Sequence, residues 1–158
     1  DNAPVGRVFR DYTITDTSGT ELVRAESRLI LLDLRTEKIV RIDRERFASY
    51  RPEARGVFPD TAPRLRAPAV FDTQTVLPLR RCDIDFNGHV HNTRYLEFAL
   101  EALPETMRCD AFRGFRIVYP KAVKDTKTVT LKYTAADDGA FVCLYSADTL
   151  CTIVRFET

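Results

Sequence analysis

One run of residues, 93–103, constrains the fold of this chain more than any other. At helical spacing its apolar side chains cover most of the helix surface, and they are Tyr95, Leu96, Phe98, Ala99, Leu100, Ala102 and Leu103. The polar side is narrow and carries an acidic residue at every fourth position: Glu97, Glu101 and Glu105. With Asn92 as N-cap and Pro104 as the stop, we predict a helix that is buried on most sides, as if a sheet were curled around it.

The residues around this helix are patterned as strands. Val129, Leu131 and Tyr133 alternate with polar neighbours, which predicts a sheet with one face on the core. Pro78 places its own strand near a sheet edge. The expected strands are 75–81, 112–119, 126–133, 140–145 and 150–156, the last four forming a meander. We therefore predict that residues 73–158 form an α+β unit in which antiparallel strands wrap one helix.

The first part of the chain carries strands without a comparable helix. Apolar residues alternate over 8–14, and residues 17–19 predict a turn. An apolar run at 22–32 then predicts a long strand in which residues 29–32 are buried on both faces. Two shorter elements are expected next, a strand at 39–42 and a helical turn at 43–50 capped by Asp43. Residues 51–72 hold four prolines and no periodicity, so we expect a semi-rigid linker there.

Composition excludes several classes of partner. Lys plus Arg is 24 against 23 for Asp plus Glu, and the net charge of +1 gives no signal for nucleic acid or a membrane surface. No apolar run approaches the roughly 18 residues that span a bilayer. Without an export signal we expect a cytoplasmic protein, or a plastid protein if a transit segment was removed. The scattered cysteines are expected to be free, mostly buried thiols: Cys82, Cys109, Cys143 and Cys151.

The ten residues 83–92 crowd two carboxylates, two carboxamides and two imidazoles immediately before the predicted helix. Polar groups held beside a helix N-terminus can activate water and stabilise a developing oxyanion, which points to hydrolytic chemistry. On an extended stretch, the side chains of Asp85, Asn87 and His89 would share one face. The alternative is a polar loop that merely caps the helix, since Asn-Gly is an ordinary turn pair.

The same part of the chain offers residues for two other kinds of site, a metal site and a cysteine nucleophile. Together with Asp83 and Asp85, the pair His89 and His91 offers four potential metal ligands, but a catalytic zinc needs three convergent ligands and an open position. Because successive side chains alternate, we expect no metal and no cofactor. Cys82 lies close to the segment and could be a nucleophile, although a single Cys near a His is more often structural.

Residues 81–95 read Arg-Cys-Asp-Ile-Asp-Phe-Asn-Gly-His-Val-His-Asn-Thr-Arg-Tyr and resemble the active-site signature of acyl-acyl-carrier-protein (acyl-ACP) thioesterases, D-x-D-x-N-x-H-V-N-N-x-x-Y. Segments 9–14 and 24–27 are similar to the closing strands of that family's first repeat. The resemblance implies a hot-dog fold, in which an antiparallel sheet wraps a central helix, with two repeats per chain. It implies a metal-free thioesterase in fatty acid biosynthesis that releases free fatty acid and carrier protein.

The resemblance also assigns roles. Asp85 would polarise water or attack the thioester carbonyl directly, Asn87 would orient that water or Asp85, and His89 would hold the thioester or shuttle a proton. The backbone N–H groups of Gly88 and Val90 would form the oxyanion site. The expected partners are acyl carrier protein and a fatty acyl chain, with no nucleic acid and no membrane. One set of basic residues offers contacts for the acidic carrier or, as the alternative, simply forms a solvated surface: Arg64, Arg66, Arg80, Arg81, Lys121, Lys124 and Lys127.

Two departures from the family pattern keep alternatives open. His91 stands where the family usually has Asn, and Lys121 and Ala122 fall where it tends to place a Glu. A neighbouring hypothesis is an acyl-CoA thioesterase of the same fold. A third is a catalytically weak fragment that binds acyl chains or supports assembly.

The predicted organisation is a partial first hot-dog repeat at 1–50, the linker at 51–72 and a complete repeat with the active site at 73–158. The partial repeat has strands but no central helix of its own. We therefore expect stability to require more polypeptide, either an N-terminal segment or a second subunit in a homo-oligomer.

Overall fold

The structure is a computed structural model in which residues 7–36, 38–53, 56–58, 62–107 and 112–158 are described. The chain divides into two compact units, 1–63 and 64–158. None of the helices within the described ranges is long and apolar enough to cross a membrane. The described residues of the expected linker form neither helix nor strand.

The first unit is built on a β-hairpin. Strand β1 (Arg7–Thr15) pairs antiparallel with β2 (Glu21–Ile30). The turn between them is fixed by Asp16, whose carboxylate accepts the N–H groups of Ser18 at 2.9 Å and Thr20 at 2.8 Å. Short polar side chains that bond to nearby backbone in this way define a turn, as the sequence predicted.

The predicted burial of residues 29–32 is wrong. Leu29, Ile30, Leu31 and Leu32 are exposed by 42, 54, 37 and 49%. In the described part of the chain β1 and β2 pair only with each other, so this ribbon lacks the neighbouring layers that would cover it. The strand expected at 39–42 is also wrong, because it is reduced to a single bridge between Leu32 and Ile39.

The helical turn expected at 43–50 is confirmed. Helix α1 (Arg44–Phe47) continues into a 3₁₀ turn over Ala48–Tyr50. The carboxylate of Asp43 caps it by accepting the N–H groups of Glu45 at 3.0 Å and Arg46 at 3.5 Å.

The second unit holds a five-stranded antiparallel sheet. Its strands are β3 (Thr73–Pro78), β4 (Gly114–Val118), β5 (Thr128–Ala136), β6 (Gly139–Ser146) and β7 (Thr149–Glu157). Their spatial order is β3-β5-β6-β7-β4. The expected edge position of Pro78 is confirmed, but the four-stranded meander is wrong. Strand β4 pairs with β7 rather than with β5, because residues 119–127 cross to the far side of the sheet before β5 begins.

Helix α2 (Asn92–Glu101) packs on this sheet and completes the core. The alternation over β5 is confirmed, since Val129, Leu131 and Tyr133 are all buried. Burial of α2 on most sides is wrong: Tyr95, Phe98 and Ala99 are buried, but the remaining face is partly or fully open. The helix contacts one layer of the described sheet, so only the side facing that layer is covered.

Candidate functional site

The polar segment forms a small β-hairpin immediately before α2. The N–H of Asp85 donates to the carbonyl of His89 at 2.7 Å, and the N–H of His91 donates to the carbonyl of Asp83 at 2.9 Å. Gly88 sits in the turn with φ of 75°, a conformation that glycine adopts without strain. The assumption of an extended stretch over 85–89 is therefore wrong, because a tight turn replaces it.

The turn nevertheless brings the three predicted catalytic residues together around one carboxylate. Oδ1 of Asp85 accepts the backbone N–H of Asn87 at 2.8 Å and that of His89 at 3.1 Å. Bonds from these groups, the one from His89 contributing most, hold the pKa of Asp85 below its ordinary value. The carboxylate is therefore ionised near neutral pH, as a general base or nucleophile must be.

The two predicted oxyanion donors are already engaged. The N–H of Gly88 donates to the carbonyl of Asp85 at 3.0 Å, and the N–H of Val90 donates to the carbonyl of Val123 at 3.0 Å. A donor that closes a turn or holds a neighbouring segment is not aimed at a reacting oxygen. The structure therefore gives no support to Gly88 and Val90 as the oxyanion site.

Asp83, one of the four potential metal ligands, forms an ion pair with Arg80. Its side chain is fully buried, and its carboxylate accepts the backbone N–H of Arg80 at 2.7 Å and the Arg80 guanidinium at 2.8 and 3.2 Å. Arg94 lies 3.7 Å away as a second cation. The bond from the Arg80 side chain is the largest influence lowering the pKa of Asp83. Arg80, which is also among the residues expected to contact the carrier, anchors the hairpin.

No cluster of three or more potential metal ligands occurs among the residues that the structure describes. The thiols there are free: Cys82 is exposed, whereas Cys143 and Cys151 are buried. Burial raises the pKa of Cys143 to about 12, so this thiol is not a nucleophile. Cys109 lies outside the described residues.

The N-cap of α2 is His91 rather than the predicted Asn92. His91 has extended backbone angles, and its Nδ1 accepts the N–H of Thr93 at 3.3 Å. An imidazole nitrogen thus does the work of the Asn or Ser side chains that usually cap helices. Because the motif ends with Asn, a common capping residue, sequence reasoning placed the cap one position too late.

Sequence reasoning missed the part played by Tyr95. This side chain is 2% exposed, and its hydroxyl accepts the N–H of Val123 at 2.9 Å. The ring of Tyr119 stands edge-on to it at 5.4 Å between centroids. The available signal was the Tyr at the end of the motif, to which no role was given.

An antiparallel sheet with a packed helix, preceded by the polar hairpin, is the architecture of a hot-dog domain. The family model described as acyl-ACP thioesterase C-terminal domain matches residues 68–149, more than half of the chain. The chain belongs to the acyl-ACP thioesterase family.

Two curated relatives come from Arabidopsis thaliana. Oleoyl-acyl carrier protein thioesterase 2, chloroplastic, is 31% identical over 108 residues, covering 61% of this chain and 29% of that protein. Oleoyl-acyl carrier protein thioesterase 1, chloroplastic, is 29% identical over 108 residues, covering 61% of this chain and 30% of that protein. The matched part therefore spans less than a third of these relatives.

Solved structures confirm the fold. The 12:0-ACP thioesterase from Umbellularia californica superposes with a TM-score of 0.78 at 20% identity, covering 98% of this chain and 62% of that one. An acyl-ACP thioesterase from Bacteroides thetaiotaomicron superposes with a TM-score of 0.79 at 17% identity, covering 99% of this chain and 65% of that one.

Proposed function

We propose that this chain carries the catalytic centre of a thioesterase that hydrolyses acyl-ACP to free fatty acid and carrier protein in fatty acid biosynthesis. The observation that carries the proposal is the Asp85 carboxylate, held ionised in a tight turn within the segment that matches the family. A thioester can be hydrolysed by so few catalytic groups, because a thiolate is a good leaving group and needs little help from a general acid.

In this proposal Asp85 polarises a water molecule or attacks the thioester carbonyl directly. Asn87 orients the water or the carboxylate, and His89 holds the thioester or carries a proton to the leaving group. The three residues lie within one turn of five residues, 85–89, and none of the three is fully buried. The helix start at Asn92 lies close behind and favours negative charge.

The experiment replaces Asp85, Asn87 and His89 by Ala, one at a time, and follows thiol release from long-chain acyl-ACP. We expect each replacement to lower kcat by about 100-fold or more. The matched control is Asp137→Ala in the exposed β5–β6 turn, which should leave the rate unchanged. Unaltered rates in all three site variants would end the assignment. Parallel assays with acyl-CoA test the carrier preference.

The carrier protein is acidic in this proposal and meets basic side chains near the site. One member of the predicted set, Arg80, also bonds to Asp83 through its guanidinium. The remaining members are Arg64, Arg66, Arg81, Lys121, Lys124 and Lys127. Charge reversal at Lys124 should raise KM for acyl-ACP at low salt, and the increase should shrink at high salt, because steering by exposed charges is screened by salt.

We also propose that the protein works with more polypeptide than these residues, either as a homo-oligomer or with a further N-terminal segment. Large apolar side chains exposed on the β1–β2 hairpin support this: Phe9, Ile14, Leu22, Val23, Leu29 and Ile30. Covering each one would contribute about 1 kcal/mol, because roughly half of its surface is still exposed. Light scattering decides, since a stable monomer of these 158 residues with a cooperative melt would contradict the proposal. For location, the cytoplasm or the plastid remains our proposal.

A further inference from the structure

The polar hairpin, residues 83–91, carries the candidate site and lies outside the five-stranded sheet. Contacts other than the hydrogen bonds of that sheet must therefore hold it in place. One leg is held at Asp83, whose buried carboxylate bonds to Arg80. The other leg is held at Val90, whose N–H donates to the carbonyl of Val123 at 3.0 Å. The second support comes from residues 119–127, a segment with neither helix nor strand. Such a segment cannot place a partner accurately unless something fixes it in turn.

Tyr95 supplies that fixation. Val123 is 0% exposed, so both of its backbone polar groups need partners inside the protein. The carbonyl of Val123 accepts the N–H of Val90, and the N–H of Val123 donates to the Tyr95 hydroxyl at 2.9 Å. The ring of Tyr95 is itself packed in the core on helix α2, with 2% exposure. An uninterrupted path of hydrogen bonds therefore runs from the helix through Val123 to the hairpin.

A second tether reinforces the first. The hydroxyl of Tyr119 donates to the carbonyl of Asn92 at 3.3 Å, and its ring stands edge-on to that of Tyr95 at 5.4 Å. Segment 119–127 is thereby tied to α2 at two points, Tyr119 and Val123. Lys121 and Ala122 precede Val123 directly, so the same path fixes the position at which the family usually carries a Glu.

We infer that Tyr95 is a positioning residue for the candidate site: through Val123 it sets the geometry of the turn that presents Asp85. The inference rests on the proposed function for its kinetic consequences but not for its structural ones. Tyr95 contacts no reacting atom in this scheme. Burial raises its pKa, so the hydroxyl stays protonated and neutral at physiological pH.

The test is Tyr95→Phe, which keeps the ring and removes the hydroxyl. Without its acceptor, the buried N–H of Val123 shifts toward another partner and the support for Val90 weakens. A displacement of about 1 Å can lower a rate by about 100-fold, so we expect kcat to fall by about tenfold or more with KM little changed. The matched control is Tyr145→Phe on β6, which also removes one tyrosine hydroxyl but at a position outside this hydrogen-bond path. This variant should retain the full rate.

Two readouts separate positioning from a general loss of stability. The acid limb of the kcat/KM profile should move to higher pH in Tyr95→Phe, because Asp85 loses the ordered N–H bonds that lower its pKa. Hydrogen exchange of the amides of Asn87 and His89 should also speed up. The core variant Val142→Ala is the control for lost stability. In conditions where both variants have the same unfolding midpoint, Val142→Ala should show neither the shifted acid limb nor the faster exchange.

The hydrogen-exchange readout needs no substrate, so it decides the inference even if the enzyme proves inactive. Faster exchange confined to the hairpin supports the positioning role, and exchange equal to that of Val142→Ala overturns it. If Tyr95→Phe does not fold, Tyr119→Phe carries the test, since its hydroxyl holds the same segment from a more exposed site. Unchanged hairpin exchange in that variant overturns the inference as well. Wild-type inactivity would instead remove only the proposed function.

Discussion

Replacing Asp83 by Asn should destabilise the protein by about 2 kcal/mol without removing a proposed catalytic group. Asp83 is fully buried and accepts three bonds from Arg80, at 2.7, 2.8 and 3.2 Å. An amide keeps the shape and one acceptor oxygen, but it loses the charge and presents an N–H₂ group to the guanidinium. Breaking a buried ion pair costs about 3–5 kcal/mol, and bonds to charged groups contribute about 1.5–3 kcal/mol each.

The expected loss is smaller than these figures because the Arg80 side chain is 63% exposed. Water can take over its solvation once the partner is gone, which discounts the pair. Urea unfolding at pH 7 measures the difference, with Asp148→Asn in the exposed β6–β7 turn as the matched control. A free energy of unfolding within about 0.5 kcal/mol of the wild type would refute this account of the hairpin's anchor.

The pH dependence gives the same prediction a second check. The pKa of Asp83 is lowered in the folded protein, chiefly by the Arg80 side chain. Its stabilising contribution is therefore complete above the unfolded value of about 4 and is lost as the pH falls through the lower folded value. The difference between wild type and Asp83→Asn should persist from pH 7 to pH 5 and shrink below about pH 4. A difference that grew toward acid pH would contradict the assignment.

Three further substitutions have definite expected outcomes. Gly139→Ala should destabilise by about 3 kcal/mol or more in thermal melts, because φ is 144° and a Cβ would meet the Phe156 carbonyl oxygen at 2.0 Å. Thr152→Val should raise the free energy of unfolding by about 1 kcal/mol, since the buried hydroxyl has no hydrogen-bond partner among the described residues; a loss of stability would show that it has one. Lys121→Glu should raise kcat at least about tenfold by restoring a carboxylate, whereas Lys124→Glu should not.

Sequence patterns predicted those elements whose partners lie nearby. The alternation at Val129, Leu131 and Tyr133 depends only on one face being covered, and it is confirmed. The turn at Asp16 and the cap at Asp43 depend on local bonds, and both are in place. Structure that depends on interactions between residues close together in the chain can therefore be predicted from short stretches of sequence.

The errors arose where a distant segment decides the outcome. Apolar character at 29–32 predicts burial, but burial requires a covering layer, and none of the described strands provides one beyond β1. The position of β4 beside β7 depends on the crossing of residues 119–127, which no local pattern records. The N–H of Val90 looked free as an oxyanion donor because its acceptor, Val123, is 33 positions away in the sequence.

The structure changes the geometry expected for the predicted site residues. The motif drew attention to Asp85, Asn87 and His89, and the structure gathers them in one turn by bonds to the Asp85 carboxylate instead of by strand alternation. Arg94 and Tyr95 were left without a role because their partners, Asp83 and Val123, become evident only in three dimensions.

The most direct test of the central claim is a single-turnover measurement of thiol release from a long-chain acyl-ACP, comparing the wild type with Asp85→Asn. The wild type should cleave the thioester well above buffer hydrolysis. Asp85→Asn, folded to the same extent by circular dichroism, should be slower by about 100-fold or more. Equal rates for the two proteins, or a wild type no faster than buffer, would contradict thioester hydrolysis centred on Asp85.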